Sequence, residues 1–395
     1  MILNINSIAD KFIFYNLKNI DYGYLQIIDS KQKEHFFGDK KSILRAKVKI
    51  NSPNFSLKLL TKGSSGLGES YINNEFETND LPSLIELSAR NINITYKFSG
   101  FLQLFSLKGF LNKNIFSNTI KRSKKNISLH YDLGNEFFSA FLDRTLTYSC
   151  GIFNSPDETL EKAQINKYNK LINLVKPKDG DKILEIGCGW GGFAEHLAKN
   201  YNVTIDCITI SKKQFLFTKE RIRRSGLTNK VNVQMIDYRD VKKKYDNIFS
   251  IEMIEAVGEK YLDAYFKSIK ENLVEGGRAA IQSIVIHDNL YDRYRKKEDF
   301  IQKFIFPGGF LPSLKSLKKI SSKSGLILDN QELYGEHYSN TLKKWRKSFL
   351  SSWDQISRQA FNLNFKKMWD FYLSYCEAGF KSKNIDLIQF SLCNK

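Results

Sequence analysis

The stretch Lys182-Ile-Leu-Glu-Ile-Gly-Cys-Gly-Trp-Gly-Gly192 constrains this chain more than any other. An apolar run, Ile183, Leu184 and Ile186, leads straight into Gly187, Gly189 and Gly191 at alternate positions. A helix-like segment, Phe193 to Lys199, follows at once. Strand, glycine turn and helix in that order open a doubly wound sheet, and a turn without Cβ atoms lets a ligand lie against bare backbone. Glu185 precedes the first glycine by two residues, and the spacing is G-x-G-x-G, not the dinucleotide form G-x-G-x-x-G. The loop reads as a site for S-adenosylmethionine.

From about residue 128 onward strand and helix patterns alternate, as a parallel sheet requires. Strands are predicted at 182–187, 203–209, 231–236, 246–252 and 279–286, and late strands near 326–334 and 385–392 would bring the sheet to seven. Helices are expected at 211–225 and 259–273, with Gly276-Gly277 as the turn into the fifth strand. The expected fold class is therefore α/β: a doubly wound, Rossmann-like, seven-stranded methyltransferase sheet with a smaller α+β domain ahead of it. That first domain spans 1–110 and includes a helix from Leu81 to Ala89, capped by Asp80 with Pro82 in its first turn. Residues 111–127, with Lys113, Lys121, Arg122, Lys124 and Lys125, read as a basic linker, and 128–395 as the catalytic domain.

A length of 395 residues suits two domains. The 61 Lys and Arg against 42 Asp and Glu give +19, a field that favours anionic partners, either nucleic acid or a membrane face. Five cysteines without a C-x-x-C pair indicate neither a disulfide framework nor a zinc site. No apolar run is long enough to span a bilayer, and the amino terminus lacks a signal-peptide pattern. The expectation is a cytoplasmic protein, peripherally associated with the inner membrane face.

Ligands of open α/β sheets sit beyond the carboxyl ends of the strands. After strand one come Gly187 to Gly191. Thr209, Ile210 and, a turn later, Gln214 follow strand two. Asp237 and Tyr238, placed to take an adenine amino group and stack its ring, follow strand three. After strand four comes Glu252-Met-Ile-Glu255, and after strand five come Gln282 and Ile284. Their coincidence on one edge is what points to function.

Several runs resemble the cyclopropane-fatty-acyl-phospholipid synthases and related methyltransferases of lipid acyl chains: HYDLGNEFFSAFLDRTLTYSCGIF, KILEIGCGWGGFAEHLA, CITIS, DYRDV, IEMIEAVGEKY, FIFPGGFLPS and GEHYSNTL. GLGESYINNEF and NDLPSLIELSARN extend the resemblance to the amino-terminal part. It implies a methyl donor, S-adenosylmethionine, whose pocket also takes Tyr148, Ser149 and Ile251. It further implies a bicarbonate ion held by Cys150, Glu255, the amide of Ile284 and Tyr338. The family's histidine falls on Gln282, and Ala256 replaces a second histidine; Gln can still donate and accept. Unsaturated phospholipids are the implied partners, and a homodimer through the first domain is left open.

The chemistry is consistent with that site. An isolated cis double bond needs a strong electrophile, and methyl transfer leaves a carbocation that must be kept from water and relieved of one proton. Proton loss from the new methyl closes a cyclopropane; loss elsewhere leaves a methylene or methyl-branched alkene. A nucleic-acid methyltransferase would also suit +19. However, strand four lacks the Asn/Asp-Pro-Pro-aromatic run that grips a base, so no nucleic-acid partner is expected. A lipid-binding protein with decayed catalysis is the third reading, against which Cys150, Glu255 and Tyr338 stand. The aromatic segment Phe300 to Pro312 suits an acyl channel or packing over the sheet edge, and Gly308-Gly309 could hinge a lid. The stripe Leu342, Trp345, Phe349 and Trp353 suits either a membrane surface or the protein's own core.

Overall fold

The computed structural model describes residues 5–101 and 133–395. The basic stretch 111–127 and residues 130–132, the start of the run HYDLGNEFF, lie outside the described residues. The described residues form two compact units. One contains 5–101 together with Lys297–Ile305 and Leu350–Asn384; the other contains 133–296, Phe306–Phe349 and Ile385–Lys395.

The smaller unit is built on four strands, β1 (Tyr24–Ile28), β2 (Glu34–Gly38), β3 (Arg45–Ile50) and β4 (Phe76–Thr78), in the order β2-β1-β3-β4. β3 shows why one face is covered: Arg45, Lys47 and Lys49 are exposed while Ala46, Val48 and Ile50 are buried, the period of two of a one-sided sheet. Asp80 caps the helix Leu81–Arg90 by accepting from the Ser83 amide at 3.1 Å, as its sequence requires. The helix Leu363–Lys381, distant in sequence, lies on this unit. Tyr71 Oη donates to Asp370 at 2.9 Å, Arg90 to the Lys381 carbonyl at 3.0 Å, and Asn384 to the Ala89 carbonyl at 2.9 Å.

The larger unit carries seven strands: β5 (Lys182–Ile186), β6 (Thr204–Ile208), β7 (Val231–Gln234), β8 (Tyr245–Ile251), β9 (Leu273–Ile286), β10 (Ile327–Leu333) and β11 (Ile385–Cys393). Their order is β10-β11-β9-β8-β5-β6-β7. The pairs among β5 to β9 are parallel, and β11 is antiparallel to both β9 and β10. Helices cover both faces, so strand residues are buried whichever way they point. Leu184, Ile248 and Ile281 face one core, while their neighbours Ile183, Phe249 and Ala280 face the other.

All seven expected strands are present within a few residues. One detail differs: β9 starts at Leu273, so Gly276, with φ +73°, sits inside the strand and not in a turn ahead of it. The pairing with β8 shifts register there, because glycine lets the extra residues bulge out of the ladder. The order reverses about β5, which has β6 on one side and β8 on the other, and a ligand crevice belongs at that switch.

Candidate active site

A pocket lies at this switch point. Its walls include Tyr148, Ser149, Gly187, Gly189, Thr209, Ile210, Gln214, Asp237, Tyr238, Ile251 and Glu252. The glycine loop leaves β5 with φ +82° at Gly187, +53° at Gly189 and +79° at Gly191, which caps the helix Gly192–Asn200. A Cβ on Gly189 would meet nothing within 4 Å, so that backbone faces open space where a ligand can rest against it. Gly191 is not a wall of the pocket; a Cβ there would sit 2.6 Å from Thr218, so its role is to let two helices close behind the loop.

Side chains at the other strand ends hold one another. Thr209 Oγ1 donates to Gln214 Oε1 at 3.1 Å, and Ser211 caps the next helix. Both carboxylate oxygens of Asp237 accept from Arg239, each at 2.7 Å, and the guanidinium also lies over the Tyr238 and Tyr261 rings. Tyr238 lines the pocket with its ring edge-on to Tyr265 at 5.5 Å. Glu185, buried under the loop, is pushed up to about 7 by burial, against which the Cys207 thiol donates at 3.4 Å. These residues fit S-adenosylmethionine: an open cradle at Gly189, polar ends on β6 and β7, and Tyr238 beside them.

On the side toward β8 and β9 a polar cluster adjoins the pocket, with Glu252 at its centre. Glu252 Oε1 accepts from the Cys150 amide at 2.9 Å and from Gln282 Nε2 at 2.8 Å; Oε2 accepts from Tyr338 Oη. Gln282 is fully buried and oriented from behind, since Gln389 Nε2 donates to its Oε1 at 2.8 Å. The Cys150 thiol donates to the Gly151 carbonyl at 3.1 Å and lies 3.8 Å from Thr341 Oγ1. Burial, with the charge of Glu252, keeps it far above the usual thiol range, so it stays protonated and is no nucleophile. Glu255 stands apart from this convergence: its Oε1 accepts from the Ile284 amide, and its buried Oε2 has no partner among the described residues. Burial and then the charge of Glu252 push Glu255 up to about 8. Burial also raises Glu252.

Cys150, Gln282 and Tyr338 are thus brought together, and the Ile284 amide and Glu255 pair beside them. The groups assigned to bicarbonate, however, are already committed: the Gln282 amide and Tyr338 hydroxyl to Glu252, the Ile284 amide to Glu255, and the thiol to Gly151. A further anion would have to displace these bonds and lie against the Glu252 carboxylate, so the residues as arranged do not fit bicarbonate.

Sequence reasoning left Glu252 out of the site, although it directly follows the last residue of β8 on the edge being searched. It also missed Lys167, which is fully buried and donates to Ser149 Oγ at 2.7 Å. Burial lowers Lys167 to about 8, opposed first by the charge of Glu252. The signal was a lysine on the same buried stripe as Ala163 and Leu171 in the helix Leu160–Val175.

An aromatic line shields the region. Trp190 of the glycine loop packs on Phe138 (4.8 Å between ring centres), Phe138 on Tyr148 (5.1 Å), Tyr148 on Trp345 (5.2 Å) and Trp345 on Tyr338 (6.3 Å). The stripe Leu342, Trp345 and Phe349 is therefore core, not a membrane-facing surface; it belongs to the helix Gly335–Ser351, which starts earlier than the stripe suggested. His337 turns away from Glu252, its Nδ1 accepting from the Phe153 amide at 3.2 Å. The segment around Gly308-Gly309 is tied down, with the Phe310 amide donating to the Glu255 carbonyl at 2.9 Å. Neither Phe300 nor Phe310 is a wall of the pocket.

Three kinds of comparison bear on this site. The sequence profile of the mycolic acid cyclopropane synthetase family matches residues 118–390. A tuberculostearic acid methyltransferase of Mycobacterium tuberculosis is 33% identical over 338 residues, covering 84% of this chain and 79% of the relative. The cyclopropane-fatty-acyl-phospholipid synthase of Escherichia coli K12 is 33% identical over 352 residues, 87% of either chain. Among solved structures, the cyclopropane synthase MmaA2 of Mycobacterium tuberculosis superposes with a TM-score of 0.65 at 26% identity, covering 68% of this chain and 98% of that one. The mycolic acid cyclopropane synthase CmaA1 complexed with SAH and CTAB gives the same TM-score at 28% identity, again over 68% and 98%.

Proposed function

Because this chain belongs to the mycolic acid cyclopropane synthetase family of S-adenosylmethionine-dependent methyltransferases, we propose that it methylates the cis double bond of unsaturated phospholipid acyl chains. The observation that carries the reading is that Glu252 belongs to two places at once. It is a wall of the pocket at the glycine loop, and it is the centre of the cluster formed with Cys150, Gln282 and Tyr338. A methyl donor and a proton acceptor would thereby meet at one wall.

S-adenosylmethionine would lie along Gly187 to Gly189, Thr209, Gln214, Asp237 and Tyr238, and it would supply an electrophilic methyl group. The chain's own residues then do three things. The line from Trp190 to Tyr338 keeps water from a carbocation on the acyl chain. The carboxylate of Glu252 stabilises that positive charge. A carboxylate oxygen accepts the departing proton.

A proton taken from the new methyl closes a cyclopropane, and that is the product proposed. One observation favours a second product, a methylene or methyl-branched chain: Glu252 is fixed to the backbone, unlike a free ion, and Gln282 stands in the family's histidine position. Incubation with S-adenosylmethionine and liposomes of monounsaturated phospholipid, followed by analysis of fatty acid methyl esters, tests the reading. A gain of one CH2 in the acyl chains is expected, and proton NMR then separates ring from branch. Unchanged acyl chains, with methyl groups transferred to added RNA instead, would contradict it.

A further inference from the structure

We infer that the carboxylate of Glu252 is a built-in anion that takes the place of bicarbonate and serves as the base for the proton lost after methyl transfer. The inference rests on the acyl-chain reading above and deepens it. Its ground is the convergence of donors. Three elements, the loop carrying Cys150, strand β9 carrying Gln282 and the helix carrying Tyr338, each send one donor to the two oxygens of this carboxylate. Such an array is an anion site, and the anion is already part of the chain.

Two further features agree with that side chain being the ligand. The backbone of Glu252 has φ +49°, a region that residues with side chains rarely adopt. Its amide is fixed to the Gln282 carbonyl at 2.8 Å. Glycine would hold this conformation without strain, so the glutamate persists there through what its carboxylate binds. Gln282 is the second feature. Gln389 occupies its oxygen, which turns the NH2 group toward the site, where one N–H reaches the Cys150 carbonyl at 3.4 Å and the other needs an acceptor. The carboxylate of Glu252 is that acceptor. Glutamine at 282 and glutamate at 252 are a matched pair, and the buried ammonium of Lys167 offsets the charge they enclose.

The step balances without a further reactant. Methyl transfer forms a carbon–carbon bond and leaves the adjacent acyl carbon positive. The electron pair of one C–H bond then closes the ring or forms a double bond. The proton goes to a Glu252 oxygen, leaving a neutral acid that returns it to solvent.

The test uses the full chain and three proteins: wild type, Glu252→Gly and Glu252→Gln. Urea melts first establish that each is folded. Turnover on liposomes is then measured in CO2-free buffer with and without added bicarbonate, and binding of 13C-bicarbonate is followed by NMR. Wild type is expected to work equally fast with and without bicarbonate and not to bind it. Glu252→Gly should lose ~100-fold or more in turnover, bind bicarbonate, and recover at least ~10-fold when it is added, since the ion can enter the vacated donor array. Glu252→Gln, whose side chain still fills the space, should be equally slow and unrescued. Stimulation of wild type by bicarbonate overturns the inference. So does a fully active Glu252→Gly, or one that neither binds the ion nor is rescued by it. If wild type modifies no acyl chain but only Glu252→Gly binds bicarbonate, the acyl-chain reading fails and the anion substitution stands.

Discussion

The methyl-donor pocket and the Glu252 cluster share a wall, yet they are held by opposite means. The pocket is made of backbone: strand ends fixed by the ladders of β5 to β8, and a loop whose glycines sit at positive φ. The cluster is made of side chains, each holding another: Gln389 orients Gln282, while Gln282, Tyr338 and the Cys150 amide fix Glu252. A backbone site is indifferent to many side-chain changes and fails when a Cβ intrudes. A buried polar network does the reverse, because removing one member leaves its partner desolvated and unpaired.

The largest effect expected at single positions follows from the backbone side of that contrast. Gly191→Val places a branched side chain at φ +79°, with its Cβ 2.6 Å from Thr218. It should cost roughly 2–4 kcal/mol and abolish S-adenosylmethionine binding, as read by urea melts and calorimetry. Normal binding would mean the loop is not the rigid cradle described.

Next come the side chains. Tyr338→Phe and Gln282→Ala should each lower turnover about 10-fold, ~1.4 kcal/mol, while donor binding is unchanged. The double variant should be little slower than either one, since both act through Glu252. Additive losses would show that the two residues act separately.

An effect of similar size is read from stability. Glu255 is pushed up to about 8 by burial and by Glu252, whereas in the unfolded chain it ionises near ~4.3. Between those values the folded protein keeps a proton that the unfolded chain has released, so stability falls as pH rises through this window. Glu255→Gln should remove that part of the slope and gain ~1–3 kcal/mol over wild type at pH 8 relative to pH 5. Parallel pH profiles of urea stability would contradict the assignment. The smallest change belongs to His337→Ala. Since the His337 ring is turned to the Phe153 amide and away from Glu252, turnover should move less than ~3-fold.

Much of the pocket was legible in the chain because its determinants are local. A strand that runs into alternating glycines, a capped helix after β6 and the dipeptide Asp237-Tyr238 each declare themselves within a few residues. The cluster was legible only as a set of donors. Cys150, Gln282 and Tyr338 stand far apart in sequence, and nothing local says that they share one acceptor. Glu252 and Glu255 are equally good acids at the end of β8. What separates them is the left-handed turn at Glu252, which no composition or periodicity reveals. Lys167 could have been noticed as a charge on a buried stripe. The placement of Leu363–Lys381 on the amino-terminal unit could not, because it depends on long-range contacts such as Tyr71 with Asp370.

The most direct measurement is the acyl-chain product formed by the wild-type protein from S-adenosylmethionine and monounsaturated phospholipid liposomes in CO2-free buffer. Chains heavier by one CH2, formed at a rate that bicarbonate does not change, are the predicted result. Chains that stay unmodified, or that are modified only once bicarbonate is supplied, would contradict the account.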